Sequence, residues 1–120
     1  MRSVKQGEIY AAYIESGIPR PVVVISRESL NRGKYVVGIP FTSSEFDKRR
    51  ILNNCVPFRK GEFGLTKNCV AQCEAVTQLL KEDINTTEGP LGQVSDDRMR
   101  DIIKAIGFVF LSDCEPSWVE

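Results

Sequence analysis

The run Pro21-Val22-Val23-Val24-Ile25-Ser26 constrains the fold of this chain more than any other stretch. Its β-branched residues follow one another without a polar face to set toward water, and such side chains suit a pleated, buried surface. The run reads as a strand covered on both faces, with its proline at the first position, where a strand tolerates one. A strand of that kind needs neighbours. Gly7 to Ile14 is rich in β-formers, and Asn31-Arg32-Gly33 is a turn signal ahead of a further strand from Lys34 to Phe41. Cys55 to Phe58 is a short strand whose proline marks an edge or a bulge.

From Cys69 to Leu79 the residues alternate as one long strand. Cys69, Ala71, Cys73, Ala75, Thr77 and Leu79 form a small, mostly apolar face directed to the core, and Val70, Gln72, Glu74, Val76 and Gln78 form the other. Lys81 to Asp83 makes one helical turn, Thr86 to Pro90 breaks the chain, and Leu91 to Val94 is a last short strand. A helix follows. Ser95 is its N-cap, Asp96 and Asp97 suit the positive end of its dipole, and Met99, Ile102, Ile103, Ile106 and Val109 form one apolar stripe. Gly107 costs about 1 kcal/mol relative to alanine and is expected to bend or fray the helix end. The polar, basic stretch from Thr42 to Asn54 reads as a mobile loop. Six strands and one helix predict a mostly β fold, a small curved sheet or barrel with the helix packed against it.

At 120 residues and 42% hydrophobic composition, one domain accounts for the chain, set at 1–112 with an acidic tail over 113–120. No apolar run approaches the ~20 residues that span a bilayer, and the first residues lack the apolar stretch of a signal peptide, so a cytoplasmic protein is expected. Histidine is absent, which removes the commonest general acid–base and zinc ligand. Cys55, Cys69, Cys73 and Cys114 lack the paired spacing of a zinc site, and strand positions four apart lie ~13 Å from one another. They read as packing thiols, and no metal or cofactor is expected.

Net charge is zero, but residues 1–67 carry +6 and residues 68–120 carry −6. A fold that gathers the loops of the first half on one side would attract a polyanion there; a fold that interleaves the halves would mix the charges. Two strings could carry chemistry. Pro21 restricts Arg20 to extended backbone, so its guanidinium is held at the rim of a buried strand, where it either clamps a phosphate or is merely solvated. Phe41 is followed by Thr42, Ser43 and Ser44, three hydroxyls that cap a turn or bond a phosphate oxygen. If the strands that begin at Pro21 and end at Phe41 are antiparallel neighbours, Arg20 and Thr42 meet at one sheet edge. Asp96-Asp97 is helix-end chemistry and offers no paired carboxylates for a two-metal nuclease.

Over nearly its whole length the chain resembles the MazF/PemK toxins of bacterial type II toxin–antitoxin systems. Carrying the resemblance are Lys5-Gln6-Gly7-Glu8-Ile9-Tyr10, Arg20 to Ile25, Ile39-Pro40-Phe41-Thr42-Ser43, the run from Glu74 to Ile84, and Gly92-Gln93-Val94-Ser95 leading into a helix. The resemblance implies an SH3-like small barrel with a C-terminal helix, a homodimer, a cognate antitoxin, and metal-independent, sequence-specific cleavage of single-stranded RNA to 2′,3′-cyclic phosphate and 5′-OH ends. It matches Arg20 to the family's essential arginine, Thr42 to its threonine, and Glu15, by its spacing of five residues, to its loop carboxylate. The first loop is shorter than the family's and lacks its Gly-Ser-Glu-Gln string, and Thr77 stands where a basic residue is common.

Under that resemblance, substrate binding falls to Ser43, Ser44, Phe46, Lys48, Arg49 and Arg50, with Arg59, Lys60 and Lys67 extending the groove: the aromatic ring stacks on a base while the cations follow the backbone. RNA carries its own nucleophile, the 2′-OH, so neither histidine nor a metal is required for cleavage. Two other readings stay open. One is a non-catalytic poison like the CcdB toxins, which bind DNA gyrase, with its function in the C-terminal helix. The other is an inactive relative that only binds an antitoxin.

Overall fold

The computed structural model describes residues 3–14 and 18–111. Glu15, Cys114 and the acidic stretch 113–120 lie outside the described residues. Among the described residues seven strands, one more than expected, form a single curled sheet in the order β4-β5-β3-β2-β1-β7, with β6 on β3. They are β1 (Glu8–Ala12), β2 (Arg20–Val24), β3 (Tyr35–Thr42), β4 (Cys55–Phe58), β5 (Cys69–Gln72), β6 (Thr77–Leu80) and β7 (Gly92–Gln93). Two helices, α1 (Phe46–Arg49) and α2 (Asp96–Leu111), complete the set with 3₁₀ turns at Glu28–Leu30, Glu62–Gly64 and Lys81–Asp83.

The valine run is the hub, as its composition requires. Val22, Val23 and Val24 are fully buried, between β1 on one side and β3 on the other. Val23 enters a core with Phe41, Phe58, Ile102 and Ala105, while Val22 and Val24 enter a second core with Tyr10, Val36, Leu79 and Ile84. β4, with Pro57, lies at the edge of the sheet, where a missing N–H is least costly.

The single strand expected from Cys69 to Leu79 is in fact two. β3 changes partners along its free side: Tyr35 to Gly38 pair with β6, whereas Phe41 and Thr42 pair with β5. Cys73 to Val76 form the intervening turn, closed by the Ala75 N–H on the Gln72 carbonyl at 2.9 Å. Pro40, which has no N–H to donate, stands between the two paired segments of β3. Gly38 allows the close approach there, since a Cβ on it would lie 3.1 Å from both the Leu79 side chain and the Val23 carbonyl oxygen. After β6 the chain returns along β1, through a bridge between Ala12 and Ile84 and an Asn85 N–H bond to the Ala11 carbonyl, and this curls the sheet toward closure.

The region 42–54 is more ordered than a mobile loop, since it contains α1 and Thr42 already belongs to β3. Ser95 caps α2 as expected, its Oγ accepting from the Arg98 N–H at 3.4 Å. Ile102 and Ala105 are buried, with Met99 and Ile106 partly buried against the same core. Ile103 is half exposed, because the contact face of α2 turns toward Ala105. The helix runs through Gly107 to Leu111, and a side chain at Gly107 would meet nothing within 4 Å. No described helix is long and apolar enough to cross a membrane.

Candidate active site

Arg20 opens β2 opposite Ala12, and Thr42 closes β3. The antiparallel β2–β3 register runs from Val24↔Gly38 to Val22↔Pro40, and its continuation brings residues 20 and 42 to the same end of the sheet. A cleft of about 500 Å³ lies there. Its walls come from three segments: Ile18 to Pro21, Phe41 to Ser44, and the stretch of Leu65, Thr66, Lys67 and Cys69 that leads into β5. All the described lining residues but Cys69 belong to the basic part of the chain, and no described Asp or Glu is among them. At this point the fold keeps the charges apart.

Arg20 is half-buried and held from one terminal nitrogen. Its Nη2 donates to the Phe41 carbonyl and to Gln72 Oε1, each at 3.3 Å. Among the described residues it has no carboxylate partner. Thr42 Oγ1 accepts from the Ser44 N–H at 3.2 Å, so the turn-capping role expected of the hydroxyl is real. Accepting that bond leaves the hydroxyl hydrogen free to donate. Lys67 is exposed at the cleft's third wall, and the segment leading to it is fixed by the Gly61 N–H on the Leu65 carbonyl (2.8 Å) and the Lys60 N–H on Asn68 Oδ1 (2.8 Å). Cys69 lines the same cleft, but burial, helped by the charge of Glu62, pushes its thiol up to about 11. It stays protonated at neutral pH and is no nucleophile.

Of the residues singled out in the sequence, the cleft unites Arg20, Thr42, Ser43, Ser44 and Lys67. Phe46, Lys48, Arg49, Arg50, Arg59 and Lys60 do not line it. The Arg59 guanidinium lies 5.2 Å from the Phe46 ring centroid and ties α1 to the exit of β4. Lys48 pairs with Glu45 at 3.6 Å and Arg50 with Asp47 at 3.7 Å, exposed contacts of the kind worth about 0–1 kcal/mol and readily exchanged for a phosphate. Thr77 uses its hydroxyl on the Ala75 carbonyl at 2.8 Å. Sequence reasoning missed Gln72 as a partner of Arg20. Its signal was there, a long polar side chain among the small apolar residues of Cys69-Val70-Ala71-Gln72-Cys73. Among the described residues no three Cys, Asp or Glu side chains converge as metal ligands.

A family model described as "PemK-like, MazF-like toxin of type II toxin-antitoxin system" matches residues 5–110. The chain belongs to the PemK/MazF toxin family. Its fold is that of solved MazF structures: mostly β, a curled barrel-like sheet with one C-terminal helix. An endoribonuclease in complex with its cognate antitoxin, from Mycobacterial species, is similar with a TM-score of 0.70 at 22% identity, over 88% of this chain and 93% of that one. The Mycobacterium tuberculosis toxin MazF-mt6 gives 0.70 at 23% identity, over 86% and 95%. A MazE–MazF structure from Deinococcus radiodurans gives 0.70 at 16% identity, over 92% and 98%. No curated protein matches the chain in sequence.

Proposed function

We propose that this PemK/MazF toxin is a metal-independent endoribonuclease that cleaves single-stranded RNA, mRNA included, at short sequences and thereby inhibits growth. The observation that carries this reading is the convergence of Arg20 and Thr42 in one cleft that no described carboxylate lines. In the proposed step the ribose 2′-oxygen attacks the adjacent phosphorus, a 2′-O–P bond forms, and the P–O5′ bond breaks. The products are a 2′,3′-cyclic phosphate and a 5′-OH. Charge develops on the non-bridging oxygens of the phosphorane, and a fixed cation and a fixed hydroxyl are what that charge requires. Arg20 supplies the cation and Thr42 the hydroxyl donor. Glu15, outside the described residues, is assigned to accepting the 2′-OH proton, which must ultimately be returned to the leaving 5′-oxygen. Ser43, Ser44 and Lys67 bind flanking phosphates within the cleft, and Phe46, Lys48, Arg49, Arg50, Arg59 and Lys60 extend the track beyond it. The acting form is taken as a cytoplasmic homodimer, restrained by a cognate antitoxin.

Incubation of the purified protein with single-stranded RNA in EDTA, followed by analysis of fragment ends, tests the proposal. Cyclic phosphate ends are expected. Arg20→Ala should lower the cleavage rate by about 10²–10³ with the fold intact, the scale for removing one donor to a developing oxyanion. Thr42→Val should cost about tenfold, one neutral hydrogen bond's worth. Growth arrest by a protein that leaves RNA whole would overturn the nuclease and favour a protein-binding poison. Silence in both assays would favour an inactive family member that only binds the antitoxin.

A further inference from the structure

We propose that Gln72 is a positioning residue for Arg20: its side-chain carbonyl, together with the Phe41 carbonyl, fixes the guanidinium in one orientation while leaving its charge unneutralised. The inference rests on the catalytic reading of Arg20 given above. Both bonds, at 3.3 Å, fall on Nη2. Nη1 and Nε have no acceptor among the described residues, so three N–H donors remain for a phosphate. An arginine held at one nitrogen and free at the others is oriented without being used up.

The anchor is itself firmly placed. Gln72 ends β5, a strand with β3 on one side and β4 on the other, and it stands opposite Cys55. Its carbonyl accepts the Ala75 N–H, and the next residue, Cys73, donates its N–H to Asn54 at 2.9 Å. An acceptor on so constrained a backbone can set a partner's angle. The type of acceptor matters equally. A carboxylate would hold the guanidinium more tightly but would cancel the charge that stabilises the phosphorane, whereas an amide oxygen orients the group and leaves that charge for substrate.

Three proteins test the proposal: the unaltered chain, Gln72→Leu and Gln72→Glu, each checked for unchanged melting. Misplacing a catalytic group by about 1 Å can cost ~100-fold, so Gln72→Leu should lower kcat by roughly 10- to 100-fold. Its KM should stay within about threefold, because the loss is confined to the transition state. Gln72→Glu keeps an acceptor but neutralises the guanidinium, and should lower kcat as well as raise KM for RNA. Independently of activity, the Arg20 Nη protons should give separate, slowly rotating NMR signals in the unaltered chain and averaged ones in Gln72→Leu. A well-folded Gln72→Leu with unaltered kcat, or Arg20 signals identical in the two proteins, would overturn the proposal. If the unaltered chain cleaves no RNA, the nuclease reading fails, and the NMR comparison alone decides whether Gln72 orients Arg20.

Discussion

Alanine at Gly92 should destabilise the whole domain, although Gly92 lines no cleft. A Cβ there would sit 1.8 Å from the Phe63 carbonyl oxygen and 2.4 Å from its carbonyl carbon. The contact is reciprocal, since a Cβ on Gly64 would lie 1.9 Å from the Leu91 oxygen. Carbon atoms hardly ever approach such groups closer than 3.0 Å, so the backbone of the Glu62–Gly64 turn must retreat from β7 by at least about 1.2 Å. Retreat pulls on Phe63, whose ring packs edge-on to Phe58 with centroids 6.0 Å apart. Overpacking of this kind costs ~1–3 kcal/mol, and a disturbed aromatic pair adds ~0.5–1.5 kcal/mol, giving roughly 2–4 kcal/mol in all. For a domain of this size that corresponds to a fall in Tm of about 8–16 °C. Gly107→Ala is the control with the opposite sign: its Cβ enters open space within α2, and a helical glycine replaced by alanine gains ~0.5–1 kcal/mol. Thermal unfolding followed by circular dichroism reads both. A Gly92→Ala protein melting within about 2 °C of the unaltered chain would mean that β7 and this turn are not in contact.

The thiols give a pH prediction. Burial, followed by the charges of Cys55 and Glu74, pushes Cys73 up to about 12, burial raises Cys69 to about 11, and Cys55 is raised as well, against an ordinary value of 9.0. A thiol whose folded value exceeds its unfolded one contributes stability that is complete below about pH 9 and lost as pH climbs toward the folded value. In a Cys114→Ser background, a thiol reagent should therefore react slowly at neutral pH, and urea stability should fall between pH 9 and 11. Cys69→Ala should flatten that fall, and an unchanged slope would contradict it. A third prediction concerns Arg98, which bonds Asp101 at 2.9 Å and the Pro57 carbonyl, and lies 4.4 Å from the Phe58 ring centroid. Arg98→Met should cost about 1–3 kcal/mol in urea unfolding by detaching α2 from β4, and Arg98→Lys should recover little of it, since an ammonium lacks the planar fork.

What the sequence revealed depended on how local the responsible physics was. The buried valine strand, the edge character that Pro57 confers, the Ser95 cap and the turn at Lys81–Asp83 follow from residues near in sequence, and each is observed. The nearness of Arg20 and Thr42 needed one assumption, that β2 and β3 are antiparallel neighbours, and the register supplies it. The division of β5 from β6 was not legible. Cys73 to Val76 contain no glycine, proline or asparagine to announce a turn, and the cause lies thirty residues earlier, where β3 exchanges one partner for another around Pro40. Ile103 was misassigned for a similar reason: periodicity gives the spacing of a stripe but not which edge of it the sheet will meet. The cation–aromatic tie between Phe46 and Arg59 joins residues too distant in sequence for any pattern to expose.

The unforeseen turn also determines which side chain Arg20 meets. β6 pairs with β3 so that Gly38 faces Thr77, and an unbroken strand continuing that register would set Glu74 opposite Phe41. Side chains alternate in face along a strand, so Cys73, opposite Thr42, would then share the face of Arg20, and Gln72 would not. The turn at Cys73 to Val76 shifts the register by three residues. Ala71 now faces Phe41, and Gln72 comes within reach of Arg20. Glu74 is exposed and receives a hydrogen bond from Asn54 Nδ2 at 2.9 Å. One local irregularity thus gives Arg20 an orienting partner, and Arg20 lines the cleft with its charge still available to a polyanion.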